Sequence, residues 1–271
     1  MKKELNGSEL AGYIKERQAK QVRNLLQEHK VLPKLAIIRT PDNPVIDVYV
    51  RLKKKYGEDI KIEVIDYIEE QSNIKSVINQ LNNDKFVSGI VLQLPISNPD
   101  QTDELVRTIL QKKDVDGLNN DSDFISATAM AINWLLAGYN VDLKNKKISI
   151  VGNGRLVGAP LYAMWKKEGL NASVYDDKTK NLQKSIYNSD IVITATGVPE
   201  LIKDQMLKKG AVIVDAGTAS EKGKIVGDLE ASARDRKDLI ATPEKGGVGP
   251  LTIAALFDNV IQAARQQNNI N

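Results

Sequence analysis

Apolar positions recur along this chain in two alternating rhythms. Across residues 8–29, Leu10, Ile14, Val22, Leu25 and Leu26 fall at helical spacing and predict one amphipathic helix. Short apolar runs then predict strands at Leu35–Arg39, Lys61–Ile65 and Ser88–Leu94, with helices near 45–56, 72–83 and 101–111. Pro41-Asp-Asn-Pro44 reads as the turn that opens the first of these helices, and Pro95 stops the third strand. A polar, irregular stretch at 118–126 precedes a helix at 127–138 and a second series, with strands at 147–151, 172–175, 190–194, 211–215 and 239–241. A final apolar helix is expected from about Leu251 to Gln266. Strands that alternate with helices predict α/β architecture with parallel sheets, and ligands at the carboxyl ends of the strands.

The most informative segment is Lys147-Ile-Ser-Ile-Val-Gly-Asn-Gly-Arg-Leu-Val-Gly-Ala-Pro160, where an apolar strand enters a glycine turn and a helix follows from about Pro160. Gly152 permits the tight turn, Gly154 clears a side chain from the path of a phosphate, and the helix offers its positive N-terminus. The spacing from Gly152 through Gly154 to Gly158 is one residue longer than the common dinucleotide fingerprint. A strand-turn-helix without a ligand would show the same pattern.

Composition narrows the chemistry. The 271 residues suit two modest domains or one large one, and 42% apolar with 27% charged residues describes an ordinary globule. No apolar run approaches the roughly 18 residues needed to cross a bilayer. Met1-Lys-Lys-Glu-Leu-Asn6 opens onto no apolar signal region, so a cytoplasmic location is expected. The net charge of +3 is small and spread out, which gives no nucleic-acid footprint. Cysteine is absent and His29 is the only histidine, near the end of a polar helix. A thiolate nucleophile, a Cys-zinc site, a multi-histidine metal site and a Ser-His-Asp triad are therefore not expected, and acid-base work falls to Lys, Tyr, Asp or Glu.

Several constellations are candidates for that work. Tyr49 and Lys53 stand four residues apart and share one helix face. Partial burial would lower the proton affinity of the lysine, although Lys53 also begins a Lys-Lys-Lys run of the kind that covers solvated surfaces. Gln93 ends an apolar strand before Pro95, where it bonds either a ligand or local backbone. Asp114 and Asp116 flank Val115 and alternate onto one side, as an ordinary acidic turn also would. Thr194-Ala-Thr-Gly-Val-Pro199 and Asp215-Ala-Gly217 follow strands with small residues that admit a ribose or nicotinamide, or simply make tight loops. Thr242-Pro-Glu-Lys-Gly-Gly-Val-Gly-Pro-Leu-Thr252 holds three glycines within four residues, which points to close approach by a ligand or another chain segment, or to a hinge.

Together these pieces resemble the bifunctional methylenetetrahydrofolate dehydrogenase/methenyltetrahydrofolate cyclohydrolase family. The likeness runs in order through Asn43-Pro44, Tyr49-Val-Arg-Leu-Lys53, Gly89-Ile-Val-Leu-Gln-Leu-Pro95, Lys113-Asp-Val-Asp-Gly117, Val151–Pro160, Thr179-Lys-Asn-Leu182, Thr196-Gly197, Val226-Gly-Asp228 and Pro243–Thr252. The resemblance implies two α/β domains facing a cleft: a folate-binding catalytic domain of 1–126 plus 250–271, to which the C-terminal helix returns, and a Rossmann-like NAD(P)-binding domain of 127–249. It implies hydride transfer from 5,10-methylenetetrahydrofolate to NADP or NAD, then hydrolysis to 10-formyltetrahydrofolate, in one-carbon metabolism and purine biosynthesis. It also implies a homodimer.

By the same resemblance Lys53 matches the catalytic lysine, Tyr49 a positioning tyrosine, Gln93 the lysine's partner and Asp116 the carboxylate that bonds the pterin. Val50, Leu94, Pro95, Gly249, Pro250, Leu251 and Thr252 match substrate contacts. Gly152, Asn153, Gly154, Arg155, Val157, Gly158, Asp176, Asp177, Lys178, Thr196, Gly197, Ala216 and Gly217 match the nucleotide site.

The chain departs from the family's pattern in places. Ser126-Ala-Thr-Ala129 stands where many members have Pro-Cys-Thr-Pro, after a shorter connection. Ile46 replaces a usual Ser, Glu244-Lys245 a more apolar pair, and Leu251 a frequent Met. The family default is NADP, whose users often carry Arg at position 153 and Ser at 177. Here Asn153, Asp176 and Asp177 favour a free ribose hydroxyl and hence NAD, while Arg155 and Lys178 remain able to meet a phosphate. Three other readings compete: a dehydrogenase without cyclohydrolase activity, a non-catalytic folate or nucleotide sensor, and a dehydrogenase of the shikimate type. The Lys53, Gln93 and Asp116 set argues against the first two, and the Gln93-Leu-Pro95 and Lys245–Pro250 segments against the third.

Overall fold

The computed structural model describes residues 4–41, 44–221 and 224–270. Asp42 and Asn43, part of the expected turn and of the family likeness, lie outside the described residues. The chain divides into two compact units, one of Gly12–Ala127 with Ile253–Asn271 and one of Met1–Ala11 with Thr128–Thr252.

Helix α1 (Gly7–His29) leads through β1 (Lys34–Arg39), α2 (Pro44–Ile60), β2 (Glu63–Ile68), α3 (Gln71–Asn83), β3 (Gly89–Leu92) and α4 (Thr102–Thr108). The three strands form a parallel sheet in the order β2-β1-β3. Leu35, Ala36, Ile37 and Ile38 of the central strand are all fully buried, which accounts for an apolar run without alternation. Ala36, Ile38, Ile90 and Leu92 pack with Ile74, Ile78 and Leu81 of α3 and with Leu105 and Val106 of α4.

At the carboxyl end of β1, Arg39 bonds both oxygens of Asp66 on β2, at 2.9 and 3.2 Å, and pairs with Asp47 of α2 at 2.8 Å. Lys54 of α2 reaches Asp66 at 3.2 Å. Burial pushes the Asp66 carboxyl up, but Arg39 and Lys54 outweigh it and hold it below its ordinary value. This network ties α2, the helix that carries Tyr49 and Lys53, to the ends of two strands.

The chain continues through α5 (Ala127–Gly138), β4 (Ile148–Val151), α6 (Gly158–Lys167), β5 (Ala172–Tyr175), α7 (Leu182–Ile186), β6 (Ile191–Thr194), β7 (Val212–Asp215), β8 (Ala219–Glu221), β9 (Lys224–Val226), α8 (Ala231–Arg234), β10 (Ile240–Ala241) and α9 (Val248–Gln267). A five-stranded parallel sheet runs β10-β7-β6-β4-β5. The chain moves outward from β4 to β5, then crosses back to β6 on the other side. That reversal makes the carboxyl ends of β4 and β6 a topological switch point, where doubly wound folds bind ligands.

The last helix returns to the first series, as expected. Gln18 of α1 donates through Nε2 to the Ala254 carbonyl at 2.8 Å, Tyr56 donates to Gln18 Oε1 at 2.7 Å, and the Tyr56 and Phe257 rings stack at 5.0 Å.

The observed boundaries depart from the expected ones for identifiable reasons. Residues 4–11 group with the second series, not with the first. Leu5 N donates to Ala241 O at 3.0 Å, Ser8 N to Gly246 O at 3.0 Å, and Asn6 N to the Tyr139 hydroxyl at 3.0 Å. The expected strand at 61–65 instead spans Glu63–Ile68, because α2 continues past Gly57 and Lys61 then takes a left-handed turn with φ of 66°. The antiparallel β8–β9 pair was not expected, since its short strands have no apolar run to mark them. Pro160 and Pro250 sit within the first turns of α6 and α9, where a missing N–H costs nothing, so both helices begin ahead of the expected starts.

Gly57 stays helical because the next strand needs the space. A Cβ there would lie 2.6 Å from Val64 Cγ2 and 2.7 Å from the Ile62 carbonyl. Gly57→Ala gains helix propensity but forces that backbone apart. The expected outcome is a net loss of about 1–2 kcal/mol, read from urea unfolding.

Candidate functional site

Lys53 lies on the inner side of α2 and is 9% exposed, whereas Lys54 and Lys55 turn outward to Asp66 and Asp59. The Lys-Lys-Lys run therefore splits by helical phase, and only its first member is buried. Lys53 Nζ donates to Gln93 Oε1 at 2.7 Å. Gln93 directly follows β3; its backbone N–H donates to Ile38 O at 2.8 Å and its Nε2 to Leu94 O at 3.3 Å. The amide is thus fixed at both ends, with its oxygen turned to the lysine. Burial lowers the Lys53 pKa from the ordinary lysine value, and the Asp116 carboxylate opposes that shift. Reciprocally, burial raises the Asp116 carboxyl and Lys53 opposes it. Tyr49 sits half-buried one turn earlier on α2, and Val50 is in the core.

The segment that carries Asp116 is held by its neighbours. Lys113, 3% exposed, donates through Nζ to the Leu81 and Asp84 carbonyls at 2.7 and 2.6 Å, closing the end of α3. Asp114 accepts from the backbone N–H groups of Leu118 and Asn119 at 3.4 and 2.8 Å. Burial, with the Asp116 charge adding, pushes its carboxyl up to about 6. The two aspartates therefore differ: Asp114 builds the turn, and Asp116 faces the lysine's field. The structure brings Lys53, Gln93 and Asp116 together within one unit, with Leu94 half-buried and Pro95 exposed beside Gln93. Gly249, Pro250, Leu251 and Thr252 form the first turn of α9, in the other unit.

In that other unit, β4 ends at Val151, Gly152 turns the chain with φ of 101°, and α6 begins at Gly158. A Cβ on Gly158 would stand 1.8 Å from the Gly152 carbonyl oxygen, so turn and helix meet backbone to backbone. A Cβ on Gly154 would meet nothing within 4 Å, which leaves open space at the turn. Asn153, Gly154 and Arg155 are exposed and Val157 is half-buried. The open turn, the start of α6 and the switch point fit a dinucleotide phosphate. Asp176 directly follows β5; its carboxylate accepts from the Lys178 N–H at 3.1 Å, while Asp177 and Lys178 are exposed. Thr196, Gly197, Ala216 and Gly217 follow β6 and β7.

The three-glycine segment admits another chain segment at Gly247. A Cβ on Gly7 would lie 1.9 Å from the Gly247 oxygen. Gly249 has open space. Among the described residues no group of three or more His, Cys, Asp or Glu is placed to hold a metal ion. No described helix is long and apolar enough to cross a membrane.

Asp228 was visible in the sequence only as part of the family likeness, with no role attached. It is fully buried and accepts from Thr194 Oγ1 at 2.7 Å and Thr196 N at 2.6 Å, so it shapes the loop after β6. Its other oxygen fills the place of a side chain at Gly217, 2.0 Å from where a Cβ would stand. Asp215 accepts from Gly217 N, Asp228 N, Leu229 N and Arg234 Nη2, which locks the loop after β7 to the same segment. The paired Asp-Gly positions at 215–217 and 227–228 were the available signal.

The tetrahydrofolate dehydrogenase/cyclohydrolase catalytic-domain model matches residues 5–116, and the NAD(P)-binding-domain model of the same family matches residues 126–268. The bifunctional protein FolD of Aquifex aeolicus is 35% identical over 277 residues, covering 97% of this chain and 95% of its own. The crystal structure of the bifunctional FolD methylenetetrahydrofolate dehydrogenase/cyclohydrolase of Campylobacter jejuni is similar with a TM-score of 0.89 at 33% identity, covering 97% and 98% of the two chains. The methylenetetrahydrofolate dehydrogenase-cyclohydrolase of Trypanosoma brucei, solved with NADP and an inhibitor, gives a TM-score of 0.89 at 25% identity and covers 96% of each chain.

Asp116 is the charge that raises the proton affinity of Lys53 against burial. In Asp116→Asn, Lys53 is expected to titrate at lower pH than in the parent, measured by NMR of the lysine side chain. An unchanged or higher midpoint contradicts the coupling.

Proposed function

The chain belongs to the tetrahydrofolate dehydrogenase/cyclohydrolase family, and from that premise we propose how its residues divide the family's two activities. It is a bifunctional methylenetetrahydrofolate dehydrogenase and methenyltetrahydrofolate cyclohydrolase of one-carbon metabolism. It oxidises 5,10-methylenetetrahydrofolate and hydrolyses the methenyl product to 10-formyltetrahydrofolate. The observation that carries the residue assignment is the buried Lys53 bonded to Gln93, with Asp116 beside it.

In our reading, the unit of residues 12–127 with 253–271 binds the folate, and the unit of residues 128–252 binds the nucleotide. The nicotinamide, when bound, supplies the hydride acceptor. Hydride loss from a carbon flanked by two nitrogens needs little acid-base help, because the nitrogens delocalise the charge; the residues need mainly to orient the folate. Tyr49, Val50, Leu94 and Pro95 serve that purpose, and Asp116 accepts from the donor edge of the pterin.

Hydration does need a proton acceptor. The neutral Lys53 amine takes a proton from the water that adds to the methenyl carbon. As ammonium it returns a proton to the nitrogen released when the ring opens, while the carbinol hydroxyl loses its proton to solvent as the formyl C=O forms, the one proton that hydrolysis of the cation releases. Gln93 aims the amine. Because burial lowers the Lys53 pKa, the neutral form becomes available below the ordinary lysine range, and hydrolysis rises with pH through that lowered midpoint.

For the nucleotide we propose Gly152, Asn153, Gly154, Arg155, Val157 and Gly158 at the phosphates, and Thr196, Gly197, Ala216 and Gly217 nearer the nicotinamide. Asp176 and Asp177 at the end of β5 favour a free ribose hydroxyl, so NAD is preferred over NADP. The family's usual state supports a cytoplasmic homodimer supplying purine biosynthesis.

Lys53→Met is expected to reduce cyclohydrolase turnover by about 10²-fold or more and to leave nucleotide binding intact. Full methenyl hydrolysis in that variant would remove Lys53 from the role. Turnover of methylenetetrahydrofolate with NAD and NADP in parallel tests the cofactor. Equal efficiency, or preference for NADP, overturns the choice of NAD.

A further inference from the structure

The cyclohydrolase reading above needs Asp116 to stay within electrostatic reach of Lys53, yet Asp116 sits on an irregular segment. Asp114 and Ser122 restrain that segment locally, and a further restraint comes from far along the chain. Asn259 of α9 is 1% exposed and donates through Nδ2 to the carbonyls of Val115, at 2.8 Å, and Ile125, at 3.0 Å. These carbonyls stand at the two ends of the loop 116–124. The Ala127 N–H donates to the Asp116 carbonyl at 3.3 Å across the same neck. Gly117 takes φ of 65°, and a Cβ there would meet Ser126 N at 2.6 Å, so the two arms touch backbone to backbone. Both donors of one buried amide are thus spent on closing this loop, beside the local bonds from Ser122 Oγ to Asp114 O at 2.9 Å and from Asp123 N to Gln111 O at 3.3 Å.

We propose that Asn259 is a positioning residue for the cyclohydrolase site, clamping the neck of the loop so that Asp116 is held against Lys53. The inference rests on the assigned roles of Lys53 and Asp116. The groups that face Lys53 are Asp116, Gln93 and, one helical turn away, Tyr49. Asp114 acts on Asp116 in turn. Loosening the neck weakens the Asp116 field at the amine, which makes the neutral amine available at lower pH.

The experiment compares the pH dependence of cyclohydrolase kcat in the parent, Asn259→Ala, Asp116→Asn and the double variant, with thermal unfolding recorded for each. Asn259→Asp, which keeps the volume and removes both donors, is run alongside in case the alanine variant fails to fold. Asp116→Asn is expected to move the rising limb down by about one pH unit, the low end for loss of a nearby opposite charge. Asn259→Ala is expected to move it in the same direction, and to add nothing in the Asp116→Asn background. If Asp116→Asn moves the limb while the Asn259 variants lose only thermal stability, the inference is overturned and the Lys53 reading stands. An equal further shift in the double variant also overturns it. A limb that Asp116→Asn leaves in place overturns the Lys53 and Asp116 reading together with this one.

Discussion

A lysine amine that is almost wholly withdrawn from water is the constraint on which the catalytic unit depends. Burying an ammonium without partners costs several kcal/mol, so the site either neutralises it or supplies compensation. Here both occur in part. Burial drives the Lys53 pKa down, Gln93 accepts a hydrogen bond from it, and Asp116 limits the descent. The surrounding structure holds these groups in place. Arg39, Asp66, Asp47 and Lys54 anchor α2; the β1–β3 ladder continues to the Gln93 N–H; and Asn259 closes the loop that carries Asp116.

The nucleotide unit solves a different problem, the close approach of one backbone to another. The Gly152 carbonyl and Gly158 meet at a distance that no side chain allows. At the next strand ends, Asp228 occupies the side-chain space at Gly217 while bonding Thr194 and Thr196. Of the three fingerprint glycines, Gly152 and Gly158 serve protein packing, and Gly154 has open space around it. Roles that a fingerprint assigns together are therefore separable: Gly158 serves helix-turn packing, and Gly154 leaves room for a ligand.

Much of this was legible from local pattern. Apolar runs located the strands of both parallel sheets, because buried parallel strands are continuously apolar. The four-residue step from Tyr49 to Lys53 gave a shared helix face, and the glycine pattern gave the turn between β4 and α6. Where the reading failed, the cause was packing between elements, near or far along the chain. Gly57 remains helical because Val64 and Ile62 crowd it, and residues 4–11 join the second series through hydrogen bonds to Ala241, Gly246 and Tyr139. The β8–β9 pair has no apolar run to announce it.

Periodicity, composition and motif order by themselves determined the α/β class, the two series, the absence of thiol and multi-histidine chemistry, and the family. These follow from local spacing and residue identity, which the chain carries whether folded or not. Tertiary structure alone decided which lysine of three is buried, which of two neighbouring aspartates faces it, and that Asn259 on α9 pinches the loop beside it. Burial and field strength depend on distances between residues that stand from 40 to 144 positions apart along the chain, and only the folded chain sets those distances.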